Sequence, residues 1–236
     1  MEFSRWSPPA SEGREASALP EEWLLSFDRA RERRVLVIPA LFDEGNKLRR
    51  FTLAVMRALD EAGIDSALPD WPGCHESLEP LSIQTLGRWR DCASRVASHF
   101  GATHVLAIRA GALLAPDSLP GWRYAALDGA KQLAGMLRAQ TIAEREAGRS
   151  VTREALLEKG RVSGLTLGGW ELGAPLVCEL EEARPISPHQ QSDIEPERLS
   201  AGALWLRAEP GEDPDQSAAL ARLIAADLDT SDEAAS

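Results

Sequence analysis

The run Arg34-Val35-Leu36-Val37-Ile38-Pro39 constrains this chain most. A continuous apolar stretch of strand length has no polar side to turn toward water, so it fits a central strand of a parallel sheet, buried on both faces. Parallel strands need a crossover, and the next residues supply one. A polar loop, Phe42-Asp43-Glu44-Gly45-Asn46-Lys47, precedes residues 48–62, where Leu48, Phe51, Val55, Met56 and Leu59 recur at helical spacing up to Gly63. A second apolar run over residues 64–68 ends in Pro69-Asp70. Strand, helix and strand in this order form a βαβ unit with a right-handed crossover.

The alternation continues. A turn-rich loop, Trp71-Pro72-Gly73-Cys74-His75-Glu76-Ser77, leads to a helix over residues 86–100 closed by Gly101, then to a strand at His104-Val105-Leu106-Ala107-Ile108 and another over residues 121–127. Such a pattern predicts an α/β protein with a mostly parallel sheet flanked by helices. From Asp128 the pattern turns helical, with helices over residues 129–147, 152–159 and 172–183 around the Gly-rich run Ser163-Gly164-Leu165-Thr166-Leu167-Gly168-Gly169. Residues 129–183 are therefore expected to form a small helical cap or insertion. A polar loop over residues 185–200, a last strand at Ala203-Leu204-Trp205-Leu206 and a closing helix over residues 215–228 complete one domain, residues 31–236, with an acidic tail from about residue 229. Residues 1–30 read as a disordered or loosely attached leader, since residues 1–22 carry Pro, Ser, Glu and Arg without the apolar segment of a secretory signal.

Charge narrows the partners. A net charge of −11 argues against nucleic acid or an anionic membrane surface. Residues 209–236 hold eight acids and one base, so the body is only mildly acidic. No apolar stretch approaches the roughly 20 residues that span a bilayer. Three widely spaced cysteines, Cys74, Cys92 and Cys178, fit neither a disulfide framework nor a metal site, and suit a reducing cytoplasm. No cofactor signature is read.

The strand at residues 104–108 leads through a sharp turn into Gly111-Ala112-Leu113-Leu114-Ala115, read as the start of a helix. In the elbow G-x-S-x-G of serine hydrolases, such a turn exposes a nucleophilic Ser above the sheet. Here the five slots read Ala107-Ile108-Arg109-Ala110-Gly111. A guanidinium stays protonated and cannot attack a carbonyl. The closing His of a Ser-His-Asp triad is also missing, because none follows Leu204 and His189 precedes it in a polar loop.

Three runs carry a resemblance: Phe42-Asp43-Glu44-Gly45-Asn46-Lys47-Leu48-Arg49-Arg50, Asp70-Trp71-Pro72-Gly73-Cys74-His75-Glu76-Ser77 and Ala107-Ile108-Arg109-Ala110-Gly111-Ala112-Leu113-Leu114. With Gly129-Ala130-Lys131-Gln132-Leu133 and Gly169-Trp170-Glu171-Leu172, they resemble the exosortase A system-associated hydrolase 2 family, a bacterial branch of the α/β-hydrolase superfamily. The match covers roughly residues 35–183, and Asn46-Lys47-Leu48-Arg49-Arg50 is its most specific part. The resemblance implies an α/β-hydrolase fold, a setting beside exosortase and exopolysaccharide genes, and an elbow Arg as a family trait.

Two arrangements are open around the elbow. Arg109 could meet Lys47, Arg49 or Arg50, with Asn46 nearby, at the carboxyl ends of the strands, where helix N-termini favour a carboxylate or phosphate. Alternatively it bridges Glu44 or Asp70 in an internal ion-pair network, since a buried Arg must be paired. Lys131 and Gln132 open the long helix and could roof the same cleft or stand as an exposed first turn. Cys74-His75 is the remaining reactive pair, although the Pro72-Gly73 turn with Ser77 also has a purely structural reading. Cys92 and Cys178 read as small core residues, and Trp71 or Trp122 as a carbohydrate platform if they are not core.

Two functions follow. The first is a catalytically degenerate α/β-hydrolase-fold protein that binds a small anionic or acyl ligand, or a protein partner of the exosortase and exopolysaccharide system. The second is a hydrolase or acyl transferase on an ester or thioester, using Cys74, His75, Asp70 and Glu44.

Overall fold

A computed structural model describes residues 1–10, 19–186, 189–199, 202–207 and 211–235, the side chains as far as residue 230. Seven strands make one sheet: β1 (Glu2–Trp6), β2 (Glu22–Phe27), β3 (Arg34–Ile38), β4 (Asp65–Pro69), β5 (His104–Ile108), β6 (Gly121–Tyr124) and, after an intervening hairpin, β9 (Gln191–Ile194). Their order is β1-β2-β4-β3-β5-β6-β9. β1 and β2 run antiparallel to their neighbours, and every pairing from β4 to β9 is parallel.

The apolar run at residues 35–38 is buried on both faces, as its composition demands. Val35 and Val37 face a core with Leu48, Phe51 and Val55 of helix α1 (Asp43–Glu61) and Leu220 and Ile224 of the last helix, while Leu36 and Ile38 face the opposite core with Trp89, Ala93 and Val96 of α2 (Leu86–Phe100). β5 divides likewise, Leu106 and Ile108 to the first core and Val105 and Ala107 to the second. Burying a Val, Leu or Ile side chain contributes about 1.5–3 kcal/mol, so the strand pair at the sheet centre anchors the domain.

Between β6 and β9 the chain leaves the sheet for α3 (Gly129–Glu146), α4 (Arg153–Ser163), the hairpin β7 (Leu165–Leu167) and β8 (Trp170–Leu172), and α5 (Ala174–Glu182). This insertion packs on the α2 side through Leu133, Leu137, Leu176 and Leu180. The final helix, α6 (Pro214–Ala235), lies against α1.

Several elements differ from expectation. The leader proves to carry β1 and β2; β2 earns its place through Leu24 and Leu25, which are buried on opposite faces, while residues 11–18 lie outside the described ones. The segment Ala203-Leu204-Trp205-Leu206 is not a strand: residues 204–206 form one 3-10 turn, and the last strand, β9, lies in the segment read as a polar loop. β9 buries its two end residues, Gln191 and Ile194, around exposed Ser192 and Asp193, so it lacked the apolar run that marks the central strands. The presumed loop at residues 43–47 is already the first turn of α1, the helix after the elbow is only a 3-10 turn (Arg109–Leu113), and α6 extends into the presumed tail.

Candidate functional site

β5 delivers Arg109 to the carboxyl end of the sheet with a left-handed backbone, φ 53°. A non-glycine residue in that region costs on the order of 1 kcal/mol, which the surroundings must offset. Two features do so. A Cβ on Gly111 would stand 2.3 Å from the Pro39 carbonyl oxygen, so only glycine lets the turn pack this closely on the end of β3. The Arg109 carbonyl also accepts a hydrogen bond from the Leu127 amide at 3.3 Å, tying the elbow to the segment after β6.

The Arg109 side chain is almost entirely buried and fully engaged. Its Nε and one terminal nitrogen donate to the two Glu44 carboxylate oxygens at 2.9 and 3.1 Å, and the other terminal nitrogen donates to the Ala125 carbonyl at 3.0 Å. The Trp205 ring covers the guanidinium face, 4.1 Å from its centroid to the central carbon. The bidentate fork is the strongest geometry available to an ion pair. Of the two arrangements left open by the sequence, the internal pair is therefore present, with Glu44 and not Asp70 as partner. Glu44 reaches the elbow because it lies in the first turn of α1, where the helix end also favours a carboxylate.

The other cations divide. Lys47 pairs with Asp43 at 2.9 Å one helical turn away, Arg49 turns to Asp70 at 3.6 Å, and Arg50 reaches Glu212 at 2.6 Å on the α6 side. Arg49 and Arg50 thus do not meet Arg109. Asn46 faces a neighbouring shallow groove with His75, Leu81 and Glu171.

Above the elbow opens a cleft of about 610 Å³. Glu44, Arg109, Lys47 and Trp205 form its sheet side. α3 contributes Lys131, Gln132, Met136 and Arg138, and the β7–β8 hairpin adds Leu167 and Trp170. Trp170 is held edge-on against Phe42, ring centroids 5.7 Å apart. Lys131 is 72% exposed and pairs only loosely with Asp128 at 3.7 Å, and Arg138 is exposed with no ion pair among the described residues, so the cleft is lined by one weakly paired cation and one unpaired one. Trp205, Trp170 and Arg138 escaped the sequence reading. Trp205 sat in a presumed strand, Trp170 beside a Gly-rich turn, and Arg138 among ordinary helix-surface charges.

The Cys74 thiol is buried in the core beneath its loop and does not line the cleft above Arg109. Burial pushes the Cys74 thiol well above its ordinary range, with the Asp70 and Glu22 carboxylates adding to the effect. Burial of this kind disfavours the thiolate, the form that acts as nucleophile or metal ligand. His75 is pulled down chiefly by burial and Asp70 pushed up by it, yet Glu44 is committed to Arg109 in the cleft. The loop is instead a structural device. Trp89 Nε1 donates to the Pro72 carbonyl at 3.0 Å, and Ser77 Oγ accepts from the Gly73 and Glu79 amides while donating to Glu22 at 2.7 Å. Trp71 and Trp122 are buried at 2% and 4% exposure, so neither offers a carbohydrate platform. Cys92 is core, but Cys178 is exposed, contrary to expectation. Among the described residues no group of three or more His, Cys, Asp or Glu could hold a metal ion, and no helix is long and apolar enough to cross a membrane.

No protein-family model matches the chain, and no curated protein does. Solved structures do. The chain is similar to alpha/beta hydrolase domain-containing protein 10 from mouse, with 14% identity over 100% of both chains and a TM-score of 0.55. It is also similar to Est1E from Butyrivibrio proteoclasticus with bound ferulic acid, with 16% identity over 74% of each chain and a TM-score of 0.50. At such identities the likeness speaks for architecture alone: the chain, a mostly parallel sheet flanked by helices, has the α/β-hydrolase fold.

Proposed function

We propose that this protein is a catalytically silent member of the hydrolase fold that binds an amphipathic anion, a carboxylate or phosphate with an apolar body, in the cleft above Arg109. One observation carries the reading: the elbow side chain is a fixed cation already clamped by Glu44, while the adjoining cleft keeps Arg138 without an ion pair among the described residues, and Lys131 only loosely paired with Asp128, beside an apolar wall. Leu127, Met136, Leu167 and Trp170 would take the apolar body. Clefts of this size, mostly apolar with a few placed polar groups, suit small-molecule ligands. The resemblance of residues 35–183 to the exosortase A system-associated hydrolase 2 family suggests a role in an exosortase or exopolysaccharide setting, with the ligand or a protein partner drawn from it, in the cytoplasm.

The test is titration of the purified protein with dodecanoate, dodecyl phosphate and neutral dodecanol, followed by tryptophan fluorescence, alongside a broad panel of ester and thioester substrates. Both anions should bind more tightly than the alcohol, and Lys131→Glu with Arg138→Glu should weaken them about tenfold, two surface charge interactions being reversed. No ester should turn over. Turnover above background, or binding indifferent to charge, would overturn the reading.

A further inference from the structure

One polar side chain in the cleft wall is left unsatisfied by the protein itself. Gln132, in the first turn of α3, is 5% exposed and lines the cleft, and its Oε1 is shut from solvent with no hydrogen-bond partner among the described residues. Its backbone is not the reason, because the Gln132 amide donates to the Asp128 carbonyl at 3.0 Å in the ordinary helical way. Nor is a partner to be borrowed from the neighbouring charges, since Arg109 is spent on Glu44 and Ala125 and Lys47 on Asp43. Buried acceptors without partners are uncommon, and each calls for a physical reason.

We propose that Gln132 determines the specificity of this cleft by accepting a hydrogen bond from a donor the ligand carries beside its anionic group. The inference rests on the anion-binding reading above and narrows it. Lys131 and Gln132 both line the cleft from the first turn of α3, their side chains about 100° apart around the helix, so the cation and the carboxamide flank one end of it. A ligand that engages both carries its donor near its anion, and the apolar wall receives the remainder. The ligand class is an amphipathic carboxylate with an amide N–H or a hydroxyl next to the carboxylate, of the N-acyl amino acid or 2-hydroxy acid type. The last torsion of a Gln side chain is broad and shallow, so the carboxamide turns Oε1 toward the cleft without leaving a deep well. Once a ligand covers that wall, an analogue lacking the donor leaves the acceptor desolvated and unpaired, and sites of this kind discriminate sharply for that reason.

N-dodecanoylglycine and O-dodecanoylglycolate form the discriminating pair, with equal charge and chain length and the amide N–H of one replaced by the ester oxygen of the other. Wild-type protein, titrated by calorimetry, should prefer the amide about tenfold. Gln132→Leu should bring the two within about twofold of each other by weakening only the amide, and should leave the unliganded protein at least as heat-stable as wild type, because a buried unpaired acceptor has been replaced by an apolar group. Equal binding of both probes to wild type, or a preference that survives in Gln132→Leu, overturns the assignment and leaves the anion-binding reading standing. A Gln132→Leu variant that loses stability and weakens both probes alike overturns it too, by showing a structural residue. If neither probe binds the wild-type protein, the anion-binding reading falls, and this inference with it.

Discussion

The Trp205 ring covers the Arg109 guanidinium, 4.1 Å from ring centroid to central carbon. Trp205 is itself set edge-on to Tyr124, whose hydroxyl receives a hydrogen bond from Gln216 of α6. The cation is thus clamped by α1, by the end of β6 and by the segment before α6, three parts of the chain far apart in sequence.

Glu44→Gln should reveal how much of that clamp is ionic. Removing one partner of a largely buried pair leaves a desolvated charge, here softened by the Ala125 carbonyl and Trp205. Urea unfolding should show a loss of about 2–3 kcal/mol. A change under about 0.5 kcal/mol would mean that the pair is solvated in solution.

Arg109→Ser restores the serine of the elbow motif and should still give no ester turnover. Among the described residues no histidine lines the cleft, so the new hydroxyl finds no base. The variant should also lose about 2–4 kcal/mol of stability, because Glu44 is left without its partner and a large side chain is gone. Burst-phase release of a chromogenic leaving group in the variant would contradict the first expectation.

Thiol chemistry should separate the three cysteines. Cys178 is exposed, whereas burial pushes Cys92 up to about 12 and Cys74 beyond its ordinary range. With a chromogenic disulfide reagent, the native protein should therefore show one fast thiol, abolished by Cys178→Ser, and two more only in denaturant.

Acidity at Glu22 should shape the pH dependence of stability. Burial pushes this carboxyl up to about 7, with Asp70 and Glu79 adding to the rise and the Ser77 hydrogen bond and Arg5 opposing it. The folded pKa lies above the unfolded value near 4.5, so the contribution is complete below about 4.5 and is lost as pH rises through about 7. Glu22→Gln should remove about 3 kcal/mol of pH-dependent loss between pH 4.5 and 7.5. Asp28 and Asp60, held down to about 2 mainly by hydrogen bonds from Arg34 and Arg29, act oppositely and in a different window, losing their contribution only as pH falls through the acid range.

The centre of the fold was legible in the sequence because burial on both faces leaves no freedom of composition. Residues 35–38 and 105–108 could only be inner strands, and the periodicity of α1 and α2 followed from their single apolar stripe. The rim was not legible. β2 mixes Glu22 and Ser26 with its leucines, β9 has Ile194 as its single apolar residue, and both pair through backbone that carries no sequence signal. At the site, Arg109 was conspicuous because a motif slot exposes its occupant, and Glu44 was named as one of two partners. Trp205 was hidden for a physical reason: it comes to Arg109 through a chain excursion whose length and direction no local pattern encodes. Gln132 was visible as a residue but not as an orphan, since only packing shows which polar groups remain unpaired.

β1 and β9 have a consequence beyond geometry. Open sheets invite copies of themselves to add on along free backbone, and long flat apolar margins are where fibrous association begins. Among the described residues the margins are five and four residues long, with Glu2 and Arg5 exposed on one and Asp193 on the other. Side-by-side recruitment of another molecule would bury charge for only a handful of backbone bonds, so the sheet is built to end where it does, and concentrated solutions of the folded protein should resist growth into ordered aggregates.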